Sequence, residues 1–375
     1  MGLIGNSTFQ RIWLPGFLLQ SVVIGGGYAT GRELVEYFLS AGPLGGLLGM
    51  LLTAVLFSVL SALAFEFARV TRSFNYRSFF GQLLGRAWFL YEIAYFLLAL
   101  LILAVIAAAS GEMIGSRWGV SRAIGVVLLM LPIAILVFRG SALIEKVLAG
   151  WSFLLYAVYI ALVLTYLHAF GGDLAGKFTS APAGTAWLVK GVTYFGYNLV
   201  AVPLVLFCVP HMRTRRDAIM AGALAGPLVM LPALMIYFTM VASYPQILDA
   251  AVPADYLMQR LDLGWLDVLF YVVVFGTFVE TGTALLHAVN DRIALRFENS
   301  GNAMPTWLRP VIAVSAILVS VVLAVRFGII DLIARGYGTL TWAFILIFAL
   351  PLCTIGVWMI RQRAHSEVTN ADATG

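Results

Sequence analysis

Three consecutive glycines, Gly25, Gly26 and Gly27, followed by Tyr28, Ala29, Thr30 and Gly31, sit in the middle of an apolar stretch. Each glycine costs a helix about 1 kcal/mol relative to alanine, so the run predicts local unwinding. The freed N–H and C=O groups then become ligands. A half-helix starting near Thr30 points its positive end at the gap, which suits a carboxylate. The end before Gly25 offers carbonyls, which suit a cation. A close helix-packing face is the competing reading, and Gly27 and Gly31 have the spacing for it. Three adjacent glycines do not, because they point in different directions.

A second weak point lies at Gly196, flanked by Tyr194, Phe195, Tyr197 and Asn198, with Pro203 after it. Proline removes a donor and clashes with the preceding turn. Asn198 both donates and accepts, and the tyrosines are candidate walls. A kinked helix with interfacial tyrosines is the alternative.

Further along, Thr277 and Thr281 are four residues apart and share a helix face, with Glu280 between them. Hydroxyls and a carboxylate beside backbone carbonyls suit a small hard cation. Glu280 alone suits a proton carrier, or a plain inter-helix hydrogen bond. Arg32, Glu33 and Glu36 follow the first break; charges at membrane depth face a cavity or a partner. Asp331 is the acid expected opposite Arg32, the two closing an outer gate; the alternative is an Arg32 that snorkels to the headgroups. His287 reads as packing, and Glu66, Glu92 with Tyr95, and Glu112 read as solvated or paired groups near span ends.

These residues need a lipid-embedded scaffold to position them. The 375-residue chain is 62% hydrophobic and 11% charged, with a mean hydropathy of +0.96. Soluble domains carry about 25% charged residues. Apolar runs of roughly 20 residues recur throughout, and Leu97 to Ala109 does not alternate as a barrel strand would. An all-α membrane protein follows. The start of the chain lacks the pattern of a removable signal peptide. Cys208 and Cys353 read as small core residues. The basic pI near 9.2 reflects dispersed loop residues, and nucleic acid is not an expected partner.

About ten spans can be drawn: roughly 13–40, 44–70, 87–114, 122–138, 142–169, 187–209, 216–243, 265–293, 307–326 and 330–361. Most Lys and Arg residues fall on the side of the N-terminus, which places both termini in the cytoplasm. The chain reads as one domain over 1–375. Its two halves, about 10–170 and 185–362, form an inverted five-plus-five repeat, and a polar tail at 364–375 is expected to be disordered. Gly27-Tyr28 and Gly196-Tyr197 occupy matching places in the first span of each half.

The stretch GGGYATGRELVEYF, with YFGYNL and TFVETG further on, resembles the YkvI-type family of bacterial membrane proteins. The resemblance covers nearly the whole chain, and GGGYATGRE is its most specific part. It implies a branch of the amino acid–polyamine–organocation superfamily, with the leucine-transporter fold and broken first and sixth helices around the substrate. It also implies a cation site between the first and eighth helices. Carried over, Ile24 to Gly31 would meet substrate and cation, Tyr194 to Asn198 would complete the pocket, and Thr277, Glu280 and Thr281 would sit at the cation position. An acid at Glu280 departs from sodium-coupled relatives and leaves sodium against proton coupling open.

The expectation is an alternating-access secondary transporter of a bacterial inner membrane, moving an amino acid or a similar small zwitterion or amine. Its expected partners are that substrate and membrane lipid. No cofactor and no metal beyond a coupling Na+ are expected, and the oligomeric state is left open. A membrane receptor that binds in the same pocket without transport is the rival. No HExxH or GxSxG motif supports an enzyme.

Overall fold

A computed structural model describes residues 8–139, 151–299 and 301–363. The expected start of the fifth span near 142 and the tail from 364 lie outside these residues. Among the described residues the regular structure is entirely helical. The first membrane segment is α1 (Leu14–Val23) and α2 (Arg32–Tyr37), joined by the single turn Gly26–Ala29. Then come α3 (Pro43–Thr71), the short amphipathic α4 (Tyr76–Leu84), α5 (Phe89–Trp118), α6 (Arg122–Arg139), α7 (Trp151–Phe170) and α8 (Leu174–Thr179). The remainder is α9 (Ala186–Asn198), α10 (Arg215–Ala242), α11 (Pro253–Leu261), α12 (Gly264–Asn299), α13 (Leu308–Asp331) and α14 (Gly338–Phe344).

Seven helical stretches among the described residues are long and apolar enough to cross a membrane, and Arg122–Phe138 is a shorter apolar helix. The longest stretch, Leu308–Arg363, has 56 residues and is interrupted at Gly328, where φ is 68° and ψ is 172°. Leu51, Val55, Val59, Val127, Leu131, Val322, Val325 and Leu346 point outward and are exposed. In water such a surface would aggregate; facing hydrocarbon it costs nothing, and the helices satisfy their own backbone groups there.

The first segment is interrupted where the glycine run predicts. Ile24 (φ −81°, ψ 76°) and Gly25 (φ −103°, ψ −169°) leave the helical region. A second discontinuity follows at Gly31, whose φ of 75° is left-handed. Any other residue there would cost about 1–2 kcal/mol, and an added Cβ would also overlap Met240. Thr30 stitches the turn: its hydroxyl donates to the Gly27 carbonyl (2.7 Å) and accepts from the Arg32 N–H (3.1 Å). Its carbonyl accepts from the N–H of Ala254 (3.0 Å), anchoring the break to α11.

The second weak point does not open in the same way. The helix stays continuous through Gly196 and Asn198, then tightens into a 3-10 helix over Leu199–His211. Pro203 and Pro210 cannot supply the N–H groups of a regular ladder. In 3-10 pairing the Val200 carbonyl would need a donor at position 203; the Tyr91 hydroxyl serves it instead (3.2 Å). The Asn198 amide donates back to the Tyr194 carbonyl (2.9 Å). This corrects the expected break: proline here changes the pitch of the helix, and neighbouring groups repair the lost bonds.

The tightest packing joins α3 and α10. A Cβ on Gly222 would overlap the backbone of Ala62, and one on Gly226 would overlap the Ala54 carbonyl and Ser58 Oγ. The two glycines are one turn apart, the small-residue spacing that lets membrane helices touch. Cys208 is buried as expected, but Cys353 is exposed; it faces outward because the apolar outside of a membrane helix accepts a thiol as readily as the core does.

Outside the membrane spans, Asp255 on α11 is buried, with its carboxylate accepting from the Tyr271 hydroxyl (2.7 Å) and the Gln259 amide (2.8 Å). Burial raises its pKa above the usual carboxylate range, against the Tyr271 hydrogen bond and with the help of nearby Asp267. The native state therefore holds this proton more tightly than the unfolded chain does. The stability it supplies is present below the ordinary carboxylate pKa, and is lost as pH rises through the raised native value. Asp255→Asn is expected to melt higher than the parent at pH 7 and to lose that advantage in acid. Parallel melting curves for the two proteins across the acidic range would contradict this.

Candidate functional site

A central cavity of about 690 Å³ lies at the first break. Gly25, Gly27 and Tyr28 line it from the break, and Tyr197 and Asn198 from the α9 segment. Thr281 joins from α12, Tyr95 with Leu98 and Ile102 from α5, and Tyr337 from the segment after α13. Glu33, in the first turn of α2, reaches back into it.

Glu33 is 5% exposed. The Tyr197 hydroxyl donates to its Oε2 (2.6 Å). Its Oε1 lies against the Cα of Gly27, so close that a Cβ there would overlap it. The bare backbone of Gly27 is thus what lets a carboxylate occupy the break. Tyr197 stacks on Tyr337 with ring centroids 4.7 Å apart, and Tyr37 lies 5.6 Å from Tyr197. The Tyr37 hydroxyl donates to the Ile333 carbonyl (2.6 Å), within a π-helical turn, Leu332–Tyr337, that also delivers Tyr337. These rings separate the cavity from a vestibule lined by Glu36, Tyr37, Lys190 and Arg335.

The opposite end is closed by a caged cation. Arg292 on α12, 6% exposed, stacks over Tyr95 (3.8 Å) and Tyr76 (3.9 Å). Beside it, Glu92 accepts from the Tyr76 hydroxyl (3.0 Å) and pairs with Arg296 (2.9 Å). Tyr95 belongs to both cage and cavity. A desolvated cation–π contact is worth about 2 kcal/mol, so Arg292→Ala is expected to lower the melting temperature, with Arg292→Lys in between. Equal melting of all three proteins would show that the cage contributes nothing.

Several expected site residues face elsewhere. Ile24 and Ala29 line a separate apolar cavity of about 420 Å³, with Tyr156, Tyr159 and Pro232; Tyr28 stands between the two cavities. The Tyr159 hydroxyl donates to the Ala29 carbonyl. Thr30 and Gly31 are engaged in the turn described above. Tyr194 packs on Phe38 (4.8 Å), and Gly196 abuts Thr341 so closely that a Cβ would overlap it. Gly26 lies in the turn Gly26–Ala29.

Of the α12 trio, Thr281 lies beside Gly25, its Oγ1 3.9 Å from where a Cβ would stand. Thr277 is buried with its hydroxyl donating to the Val273 carbonyl of its own helix (2.9 Å). Glu280 is only half-buried and is not among the residues lining the cavity. Among the described residues, no group of three or more His, Cys, Asp or Glu side chains gathers as a metal site.

The expected Arg32–Asp331 gate is not formed. Arg32 pairs with Glu36 (3.0 Å) and donates to the carbonyls of Leu248 (2.9 Å) and Ala250 (3.1 Å). Asp331 pairs with Arg335 (3.4 Å) on the exterior. One helical turn supplies each charge with a local partner, which costs less ordering than a contact between distant segments. Lys190 joins the outer cluster by donating to the Glu36 carbonyl (2.8 Å).

Sequence reasoning put Glu33 against a cavity or a partner without assigning it to the site. It read Tyr95 as a solvated or paired group, where the residue is buried against the cavity. It missed Tyr337 and the Arg292 cage. Glu33 carried a legible signal, an acid six residues past a glycine run. Tyr337 and Arg292 carried none, since distant chain segments bring them in.

No family model matches the chain. It is 23% identical over 291 residues to the uncharacterized membrane protein YkvI of Bacillus subtilis (strain 168), covering 74% of this chain and 79% of that one. Its fold is similar to that of a Na+-coupled sialic acid symporter solved in a substrate-bound outward-open state. The TM-score is 0.63 at 11% identity, over 91% of this chain and 78% of the other. It is also similar to Mhp1 in its inward-facing conformation, with a TM-score of 0.50 at 15% identity, over 92% and 75% of the two chains. The chain is therefore a multi-pass membrane protein related in sequence to YkvI, on the leucine-transporter fold.

Proposed function

We propose that this protein is a secondary active transporter that moves an amino acid or a similar small zwitterion or amine by alternating access. The observation that carries the reading is a cavity at a helix break, closed toward one side by stacked tyrosines and toward the other by the Arg292 cage. A site with a separate closure at each end can expose its guest to one side at a time. Driven transport then requires that substrate and coupling ion favour each other's binding and cross together.

The substrate sits among Gly25, Gly27, Tyr28, Glu33, Tyr197 and Asn198. The coupling ion, Na+ or H+, acts at the junction of Ile24 and Gly25 with Thr277, Glu280 and Thr281. The Thr281 side chain lying beside Gly25 supports this position. Ten crossings in two inverted groups of five fit the similarity to both solved structures, and the matching cavity positions of Tyr28 and Tyr197 support the repeat. The setting is a bacterial inner membrane with both termini in the cytoplasm.

Uptake into proteoliposomes under an imposed Na+ or pH gradient tests the reading. Accumulation of labelled amino acid or amine under one gradient is expected. Saturable binding without flux under either gradient would make the protein a receptor.

A further inference from the structure

Glu36, Glu66, Glu92 and Glu112 each hold a guanidinium, at 3.0, 2.8, 2.9 and 3.0 Å. Glu33 holds none. Among the described residues no basic side chain forms an ion pair with it, and the donor it accepts from is the neutral Tyr197 phenol, at 2.6 Å. Among the described residues that line the central cavity it is also the only charged one, with no Lys, Arg or His beside it. A carboxylate taken out of water without a counter-charge is costly, so a cation placed beside Glu33 would be held there.

The walls fit a cation that is also apolar. Rings of Tyr28, Tyr95, Tyr197 and Tyr337 surround the space, and their faces attract a desolvated ammonium. The Tyr28 side chain is buried, 3% exposed, and its hydroxyl has no hydrogen-bond partner among the described residues; it can accept from a guest's N–H. Among the described residues no Lys, Arg or His lines the cavity to answer an anion, and the Arg292 guanidinium lies beyond Tyr95, stacked on it. The backbone N–H groups at the break belong to a single turn, and Glu33 lies against Gly27 in that turn.

We infer that the central cavity takes an organic monocation with an apolar body, Glu33 serving as its counter-ion and the tyrosine rings as its walls. This rests on the substrate-site reading above and narrows it from zwitterions and amines to amines. A zwitterion would bring its own carboxylate next to Glu33, with no base to receive it.

Three probes with one aromatic body separate the charge types: 2-phenylethylamine, L-phenylalanine and 3-phenylpropionate. Binding to the purified full chain is measured by calorimetry, and uptake of each labelled probe is measured in proteoliposomes. The amine is expected to bind at least ten-fold more tightly than phenylalanine, with no binding of the propionate. Glu33→Gln, checked for parental elution and melting, should weaken the amine at least ten-fold, and Glu33→Asp should weaken it less. Phenylalanine or the propionate binding as well as the amine, no binding of any probe, or amine binding indifferent to Glu33→Gln would each overturn the inference. Amine binding without uptake would leave it standing and defeat the transport reading. Uptake of phenylalanine that ignores Glu33 would do the reverse.

Discussion

Gly226→Leu is expected to leave no folded protein. The helices α3 and α10 touch backbone to backbone at Gly222 and Gly226, and even a methyl group at 226 would overlap the Ala54 carbonyl. Overpacking a well-filled interior costs about 1–3 kcal/mol for a few added carbons, and backbone cannot move aside as a side-chain end can. Separating the helices to make room would also forfeit close packing along both, the main attraction between helices in lipid. Size-exclusion chromatography of detergent-solubilised protein reads this directly: the monodisperse peak should vanish for leucine and survive, with a lowered melting temperature, for alanine. A leucine variant that elutes and melts like the parent would show that the helices are not in contact there.

Gly27→Val is expected to fold and to lose at least ten-fold in ligand affinity and uptake. The added Cβ lands on Glu33 Oε1, with the Tyr337 hydroxyl 3.5 Å away. Glu33 can move only by leaving its hydrogen bond to Tyr197. A hydrogen bond to a charged group contributes about 1.5–3 kcal/mol, and each 1.4 kcal/mol is about ten-fold in affinity. Tyr197→Phe removes that bond without adding bulk, so it should weaken binding by a smaller factor. The comparison separates loss of space from loss of positioning. Parental affinity in the valine variant would mean that the guest does not approach Glu33 at all.

The first break was legible because its cause is local. Three adjacent glycines weaken a helix whatever surrounds them, and the interruption falls at Ile24 and Gly25. The second weak point was read from the same kind of cue and came out differently. Proline there changes the pitch, and the Tyr91 hydroxyl covers the Val200 carbonyl from another helix. Gly222 and Gly226 passed unremarked because a glycine pair in a membrane helix means little until the partner helix is known. Arg32 shows the opposite limit. Charge complementarity named Asp331, while the folded chain gave Arg32 the acid one turn away and two carbonyls of a loop.

The amino-acid order by itself determined the solvent, the helical class, the resemblance to YkvI-type proteins and the place of one interruption. Each of these depends on composition or on neighbours within a turn or two. Only the tertiary structure decided that Glu33 faces inward with no counter-charge among the described residues, that Tyr95 and Tyr337 wall the cavity, and that Arg292 closes its floor. Those outcomes depend on the left-handed turn at Gly31, which sets the direction of α2, and on side chains brought together from α5, α12 and the segment after α13. A one-dimensional pattern carries no record of which distant faces meet, because packing chooses among many pairings of equal local cost.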